Sequence, residues 1–516
     1  MKRNRCAGIL AHIASLPSNY GIGDLGENSY KFIDFLHESN QQLWQILPLN
    51  PTGYSNSPYQ SSSVFAGNFL LISPDILIQK KLLNNNFSLP KFNDDFIDYD
   101  SVYEFKSQIF RTAFDNFKIT EEYIYFCEKN NYWLDDFTLF SAIKNYFIDQ
   151  RKKINIDFLD NKKNINKDYF YGAVWNTWDE NLIKREKNVL NKFKNNLEKE
   201  INYQKFLQYE FDFQWRNLKK YANKNNIKII GDAPIYVAFD SSDVWSNLKL
   251  FDIDKNFFPE KIAGVPPDYF SPDGQMWGNP LYNWKNNKLQ NYDWWTKRLK
   301  KNFELFDFLR IDHFRAFDSY WEIEYGEVSA KNGRWCKGPG KSFFNDISKS
   351  LNINLKDLNV IAEDLGIISD SVRELLFECD FMSMKVLQFG FDGSKQNDHL
   401  PHNFKNNNLI AYVGTHDNDT TKSWYDKSHE DVKDLVRRYQ NISGENICWD
   451  MIRLLYSSIA DFAIITIQDI LCLDSNSRIN TPGTNKNNWK FRFKKDIFSE
   501  NIINNLAYIT KLFDRS

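Results

Sequence analysis

Short runs of apolar residues recur along the whole chain, and each gives way to polar or turn-forming residues. Most runs are nearly continuous, as in Ile229-Ile230-Gly231-Asp232, and this pattern is typical of strands buried on both faces of a parallel sheet. The runs cover Gly8–Ser15, Leu43–Asn50, Lys228–Val237, Phe306–His313, Asn359–Asp364, Met382–Phe389, Leu409–Asp417 and Ala463–Leu471. Eight such runs, separated by helical stretches, predict an α/β fold, a parallel (β/α)8 TIM barrel.

The gap between the second and third runs is long and rich in Lys, Asn and Phe. We expect residues 74–226 to form a largely helical insertion within a single catalytic barrel domain that spans residues 1–516. Near the end of this gap, apolar side chains step by four, four, three and four positions, which predicts one face of an amphipathic helix. They are Leu207, Phe211, Trp215, Leu218 and Ala222. The polar cluster at residues 223–226 predicts the end of that helix.

The net charge and the cysteine pattern limit which binding partners and which cellular compartment we expect. The 65 basic and 67 acidic side chains give a formal net charge of -2, which argues against binding nucleic acid or an anionic membrane through bulk charge. A neutral substrate remains compatible with this balance. The six cysteines are scattered without a C-x-x-C pair or zinc-ligand spacing, so we expect reduced thiols and a cytoplasmic protein. No apolar run is long enough to span a bilayer.

The first residues allow two interpretations. Residues 1–5 are basic and residues 6–16 are mostly apolar, an arrangement that also occurs in secretory signal peptides. His12 and Ser15 interrupt the apolar stretch, however, and no small-x-small cleavage site follows cleanly. We therefore favour a buried first strand over a cleaved signal.

Three acidic residues, Asp312, Glu363 and Asp417, lie at the carboxyl ends of predicted strands. In a parallel barrel these ends converge on one face, where the connecting loops build a site. Carboxylates gathered there are unfavourable unless they are paired or take part in chemistry. Two of them suffice to cleave a glycosidic bond, one as nucleophile and the other as proton donor.

A single Asp or Glu at a strand end is more often a turn or capping residue than a catalytic one. The neighbours of these three carboxylates favour catalysis. Arg310 would lie two residues from Asp312 on the same face of its strand, where a fixed cation would keep Asp312 ionised. His416 precedes Asp417 and Asn418 follows it, and both can hydrogen-bond sugar hydroxyls.

The motifs of one enzyme family occur in order from end to end of the chain. They are Ser15-Leu16-Pro17, Gly21–Gly26, Trp44–Leu49, Ser57-Pro58-Tyr59, Gly231–Val237, Gly264–Phe270, Gly274–Pro280, Arg310–Arg315, Ala362–Gly366, Gly414–Asn418, Gln468-Asp469 and Asn480–Thr484. In these motifs the chain resembles the amylomaltase, or disproportionating-enzyme, family of 4-α-glucanotransferases, which are relatives of the α-amylases. The resemblance implies a retaining enzyme that moves α-1,4-glucan segments between maltooligosaccharides or glucose, with no cofactor and no metal ion.

The resemblance also implies a role for each matching residue. Asp312 would be the nucleophile, Glu363 the general acid/base, and Asp417 the carboxylate that holds sugar hydroxyls and stabilises the transition state. The residues expected around the reacting sugar are Asp232, Arg310, His313 and His416. Those expected in a loop folded over the site are Asp268 and Trp277, and Ser57 and Tyr59 would contact the acceptor or that loop.

Simpler interpretations exist for some of these positions. Without the resemblance, Ser57-Pro58-Tyr59 is as well explained by an ordinary turn, and Trp277 alone would be assigned to core packing. The chain departs from the family pattern at His12–Ser15 and in the Asn- and Lys-rich insertion, which leaves the preferred glucan length and any secondary sugar site open.

Two other functions share part of this pattern. An α-1,4-glucan hydrolase would carry the same three carboxylates, but residues 264–280 resemble the lid of the transferases and favour transfer. A glucan-binding protein without activity would have no need of Asp312, Glu363 and Asp417 together.

Overall fold

The computed structural model describes residues 5–153, 174–267, 271–366, 368–484 and 486–516. The strands of this part of the chain, numbered in order, are β1 Cys6–Leu10, β2 Leu43–Gln45, β3 Lys228–Pro234, β4 Lys261–Val265, β5 Gln275–Pro280, β6 Phe308–Asp312, β7 Ser319–Glu324, β8 Arg334–Lys337, β9 Val360–Ala362, β10 Ser383–Val386, β11 Leu409–Tyr412 and β12 Phe462–Thr466.

The α-helices of the same ranges surround these strands. They are Glu27–Glu38, Pro74–Gln79, Tyr99–Asp115, Glu121–Lys153, Glu180–Ile183, Lys187–Asn196, Glu198–Lys224, Ser242–Ser246, Trp284–Leu289, Asp293–Leu305, Gly340–Leu351, Asp370–Cys379, Thr421–Lys427, Glu430–Gln440, Ile447–Ser457, Ile467–Ile470 and Glu500–Leu512. None of the helices in the described ranges combines the length and apolar character needed to cross a bilayer.

Within the described residues, eight parallel strands form a barrel with the neighbour order β10-β11-β12-β1-β2-β3-β6-β9. A parallel bridge between Ile361 of β9 and Met382, just before β10, closes the ring. The predicted (β/α)8 barrel is therefore confirmed. The first apolar run forms β1, whose residues Ala7–Leu10 are buried between β12 and β2.

The strands end earlier than their apolar runs. β2 ends at Gln45 and β11 at Tyr412, although the apolar character continues to Leu49 and Val413. The residues just beyond the paired segments are still buried, because loops pack over this end of the barrel. The length of an apolar run therefore follows burial, which extends further along the chain than strand pairing. As a consequence Asp417 lies in the loop after β11 and not at the strand end itself.

Apolar side chains fill both sides of the barrel wall. The barrel interior holds a cluster that includes Leu10, Leu43, Ile230, Ile361, Met384, Ile410 and Ile464. A larger cluster lies between the strands and the helices. The predicted helix face from Leu207 to Ala222 belongs to the helix Glu198–Lys224, is buried in that outer cluster, and ends beside the polar residues that were expected to terminate it.

The described residues between β2 and β3 are mainly helical, with the long helices Tyr99–Asp115 and Glu121–Lys153 among them. Residues 154–173 of the expected insertion lie outside the described residues. The division of the chain into one barrel domain with an insertion at 74–226 stays a prediction. A separate antiparallel sheet, with the order β5-β4-β7-β8, is formed by strands that lie between β3 and β9 along the chain.

The last residues of the chain are tied to the first strand through Arg515, whose side chain is fully buried. Its guanidinium donates hydrogen bonds to the main-chain carbonyls of Tyr456 at 2.8 Å, Ser458 at 2.8 Å and Ala460 at 2.9 Å. The carbonyl of Arg515 accepts the N–H of Ala7 at 3.2 Å. These hydrogen bonds attach the end of the chain to β1 and to the segment that leads into β12.

Replacing Arg515 should therefore destabilise the barrel. Arg515→Met keeps an unbranched side chain but leaves buried carbonyls without their charged donor, and the free energy of unfolding should fall by about 2–3 kcal/mol. Urea denaturation measures the change. Lys511→Met, at an exposed position of the preceding helix, is the control and should change stability by less than about 0.5 kcal/mol. Equal denaturation midpoints for Arg515→Met and the natural protein would contradict this role.

Candidate active site

Strand order alone brings several of the predicted residues together. In the register of the barrel, Asp232 of β3 lies beside Arg310 of β6, and Pro234 lies beside Asp312. Asp312 is the last residue of β6, and Glu363 directly follows β9, which pairs with the other edge of β6. The carboxyl ends of three adjacent strands therefore form one polar site at this face of the barrel.

Arg310 is the buried cation of this site, with only 3% of its side chain exposed. Its Nη1 donates to both carboxylate oxygens of Asp232, at 2.9 and 2.7 Å, and its Nη2 lies 2.9 Å from Oδ1 of Asp312. Burial opposes the charge of the guanidinium, but the carboxylates of Asp232 and Asp312 hold the pKa of Arg310 well above its ordinary value. The alternation of the strand thus places Arg310 beside Asp312, as expected.

The pKa values of the carboxyl groups of Asp312 and Glu363 are set by different surroundings. Burial raises the pKa of Asp312, and the ion pair with Arg310 opposes that rise. Burial also raises the pKa of Glu363, and the negative charge of Asp312 raises it further. Because the cation touches Asp312, the proton that the two groups share near neutral pH belongs on Glu363.

Glu363 is oriented by the backbone. Its Oε2 accepts the N–H of His313 at 2.8 Å, and its Oε1 accepts the N–H of Leu365 at 2.8 Å. His313 adopts a left-handed backbone conformation with φ of 54°, which a non-glycine residue adopts at a cost of about 1–2 kcal/mol. The strain is located at the residue that fixes the position of the carboxyl group.

Hydrogen bonds join Asp232 through Tyr59 to His416, the residue before Asp417. The hydroxyl of Tyr59 donates to Oδ2 of Asp232 at 2.7 Å and lies 3.0 Å from Nε2 of His416. Since the one hydroxyl proton is used on Asp232, Nε2 of His416 must carry the proton of the second bond. The same nitrogen is 3.4 Å from Oδ2 of Asp417. The ring of His416 also stacks on Tyr59, with centroids 5.3 Å apart.

Two residues that the sequence analysis gave no role hold the loop of Asp417. The side-chain amide of Asn480 donates to Oδ1 of Asp417 at 2.6 Å, and its main-chain N–H donates to the carbonyl of His416 at 3.1 Å. Arg478 donates to the carbonyl of Asp417 at 2.5 Å. Asn480 belongs to a motif of the family resemblance, but no local pattern shows that this segment reaches a loop some sixty positions earlier in the chain.

The other predicted contacts differ in their surroundings. The ring of Trp277, on β5, meets His313 edge to face at 4.8 Å. The hydroxyl of Ser57 accepts the N–H of Tyr59 at 3.3 Å, so Ser57 forms part of a turn that presents Tyr59. Asp268 lies outside the described residues.

His313 is a neutral imidazole in this site. Burial, and then the charge of Arg315, lower its pKa to about 3. Its Nε2 is buried and has no hydrogen-bond partner among the described residues. A neutral ring nitrogen is therefore left to bind a hydroxyl group of a ligand.

The arrangement suits the cleavage of a glycosidic bond. Asp312 is a carboxylate held ionised by a cation, and Glu363 is a carboxyl group that keeps a proton close to neutral pH, which are the two roles that such cleavage needs. Among the described residues, no three His, Cys, Asp or Glu side chains are grouped so as to hold a metal ion.

Comparison with known proteins assigns this site to a family. A family model described as 4-alpha-glucanotransferase matches residues 11–497. A 4-alpha-glucanotransferase from Clostridium butyricum is 42% identical over 512 residues, which cover 98% of this chain and 99% of the relative. One from Synechocystis sp. is 42% identical over 529 residues, which cover 100% and 99%. The solved structure of an amylomaltase from Streptococcus agalactiae in complex with acarbose has 37% identity and a TM-score of 0.90, and the match covers 99% of this chain and 100% of that one.

The raised pKa of Glu363 predicts a pH-dependent effect of its replacement. Because the folded-state pKa lies above that of the unfolded chain, ionised Glu363 costs stability, and the cost grows as pH rises from the unfolded pKa to the folded pKa. Glu363→Gln removes this titration. The free energy of unfolding of the variant, relative to the natural protein, should therefore increase by about 1–3 kcal/mol between pH 5 and pH 8.

Urea denaturation at a series of pH values measures this difference. Any constant effect of the amide on the hydrogen bonds from His313 and Leu365 cancels in the comparison across pH. Glu374→Gln, on the exposed face of its helix, is the matched control. A difference between Glu363→Gln and the natural protein that stays the same from pH 5 to pH 8 would show that the pKa of Glu363 is not raised by folding.

Proposed function

The chain belongs to the 4-alpha-glucanotransferase family, whose members act on α-1,4-glucans, and on that premise we propose that Asp312, Glu363 and Asp417 carry out a retaining double displacement. The protein is thus a transferase that acts on α-glucans, and the hydrolase alternative is not favoured.

In the first displacement a carboxylate oxygen of Asp312 attacks the anomeric carbon of the donor. The bond between that carbon and the bridging oxygen breaks, and Glu363 gives its proton to this oxygen, so that the leaving glucan departs as an alcohol. The ion pair with Arg310 supports the role of Asp312, because the charge that must attack is kept ionised and directed by a fixed cation.

The second displacement reverses the first with a new partner. Once Asp312 is esterified its negative charge is gone, and Glu363, now ionised, loses the neighbour that raised its pKa. Glu363 then removes the proton from the 4-hydroxyl of an incoming sugar, whose oxygen attacks the anomeric carbon and frees the carboxylate of Asp312. Both steps balance without a cofactor, since the proton passes only between Glu363 and sugar oxygens.

The remaining polar groups would hold the reacting sugar. We assign the binding of its hydroxyl groups to Asp417. The side-chain amide of Asn480 donates to Oδ1 of Asp417 at 2.6 Å, and Nε2 of His416 lies 3.4 Å from Oδ2. The unpartnered nitrogen of His313 would take a further hydroxyl. Asp232 and Tyr59 would line the same position from the opposite side, since the hydrogen bond between them continues to Arg310.

A transferase must favour a sugar acceptor over abundant water. In this proposal the antiparallel pair β4 and β5, rather than the loop expected at residues 264–280, covers the acceptor side of the site, with Trp277 of β5 packed against His313. Asp268, which lies between these strands along the chain, would contribute to the same cover. The hydrogen-bonding groups of the site suit maltooligosaccharides, longer α-1,4-glucans and glucose, and the complex of the Streptococcus agalactiae relative with acarbose supports this class of ligand.

We also propose that the enzyme works in the cytoplasm. Support comes from the six cysteines, all of which are free thiols in the structure. The proposed reaction uses only carbohydrates, so no nucleic acid or membrane partner is required.

The observation that carries this proposal is the ion pair of Asp312 with Arg310 in a chain of this family, next to Glu363, whose pKa is raised by burial and by the charge of Asp312. Maltotriose should give glucose together with a ladder of longer maltooligosaccharides, with almost no gain in total reducing ends. Transfer conserves reducing ends, whereas hydrolysis creates one for each bond that is cut. Chromatography by chain length and a reducing-end assay on the same samples measure both quantities. Reducing ends that rise in step with the loss of maltotriose would replace this proposal with hydrolysis.

A further inference from the structure

An exposed tryptophan contacts Arg315, which follows two residues after the His313 that orients Glu363. Trp335 of β8 is 42% exposed, although two of its sides are in contact with other residues. The guanidinium carbon of Arg315 lies 4.0 Å from the ring centroid, and the ring of Trp321 packs against it at 5.2 Å with an interplanar angle of 69°. Arg315 covers one face of the indole, so the exposed surface includes the opposite face.

Arg315 connects this ring to the catalytic segment. It lies in the 3-10 turn Phe314–Phe317, directly after His313, whose N–H orients Glu363. Burial lowers the pKa of Arg315, and the charges of Asp318 and Glu363 oppose that change. The guanidinium under Trp335 is therefore within electrostatic reach of the carboxyl group of Glu363.

Glu363 faces the side of the site where sugars arrive and leave. In the proposed mechanism Glu363 transfers its proton to the departing glucan and takes one from the acceptor, so it must stand at the first acceptor position. An acceptor chain that runs from Glu363 past Arg315 would reach the exposed ring of Trp335. Glucose as acceptor would end before this surface, whereas maltotetraose would extend towards it.

We propose that Trp335 is a stacking platform for the second and later sugars of an α-1,4-glucan acceptor, an inference that rests on the function proposed above. The C–H face of a glucose unit is apolar and matches the flat exposed face of an indole ring. Arg315 behind the ring and Trp321 at its side hold the indole in place, so binding costs little rotamer entropy. Trp335 thus sets the preference for long acceptors over glucose.

The test separates acceptor binding from donor chemistry. With saturating α-maltosyl fluoride as donor, the acceptor-dependent release of fluoride gives the KM for glucose and for maltotetraose as acceptors, and chromatography identifies the transfer products. Trp335→Ala should raise the KM for maltotetraose about threefold to tenfold and leave the KM for glucose unchanged. Trp335→Leu, which keeps an apolar side chain without an aromatic face, should do the same, and Trp335→Phe should retain most of the preference.

Tyr325→Ala is the matched control, because Tyr325 is 48% exposed just after β7 but its ring packs at a tilt against Phe258 rather than against Arg315. This variant should keep both KM values. Trp335 variants that change the two KM values by the same factor, or change neither, would overturn the inference while leaving transfer itself established. Fluoride release by the natural protein without any transfer product would instead overturn the proposed function, and the inference with it.

Discussion

The site depends on one buried guanidinium. Arg310 lies in the middle of three adjacent barrel strands and contacts the carboxylates of Asp232 and Asp312 with geometry that satisfies both. A buried charge is stable only with such partners, and here the partners are equally dependent on it. Arg310 contacts Asp312 and not Glu363, so of these two carboxyl groups Asp312 is the charged one and the proton is left to Glu363. The different roles of Asp312 as nucleophile and Glu363 as acid thus follow from the position of the Arg310 side chain.

The rest of the site extends this constraint by hydrogen bonds. Asp232, fixed by Arg310, accepts from Tyr59, which in turn receives a bond from His416 beside Asp417. Asp417, the third carboxylate, lies beside this network and is held by Asn480, which donates to its Oδ1. His313 adds a strained backbone position, and its N–H is directed at Glu363. Rigid groups of this kind need little reorganisation when charge develops on a sugar ring.

Much of this could be predicted from the sequence because it follows from local pattern. Apolar runs mark the barrel strands, and strand alternation places Arg310 beside Asp312. The exact strand ends could not be predicted, since Val413 is buried under loops without being paired. Asn480 and Arg478 reach Asp417 from a distant segment, and Tyr59 meets His416 from the other end of the chain. Such contacts depend on how the barrel closes, and no short stretch of the sequence predicts them.

The identity of the nucleophile is tested most directly by trapping the covalent intermediate. In Glu363→Gln, an α-maltosyl fluoride can still react, because fluoride leaves without a proton, while the second step lacks its base and the ester accumulates. Mass spectrometry of the intact variant should show the addition of one maltosyl unit, and peptide mapping should locate it on Asp312. The double variant with Asp312→Asn should remain unlabelled. A maltosyl group found on Asp417 or on any other residue would contradict the account.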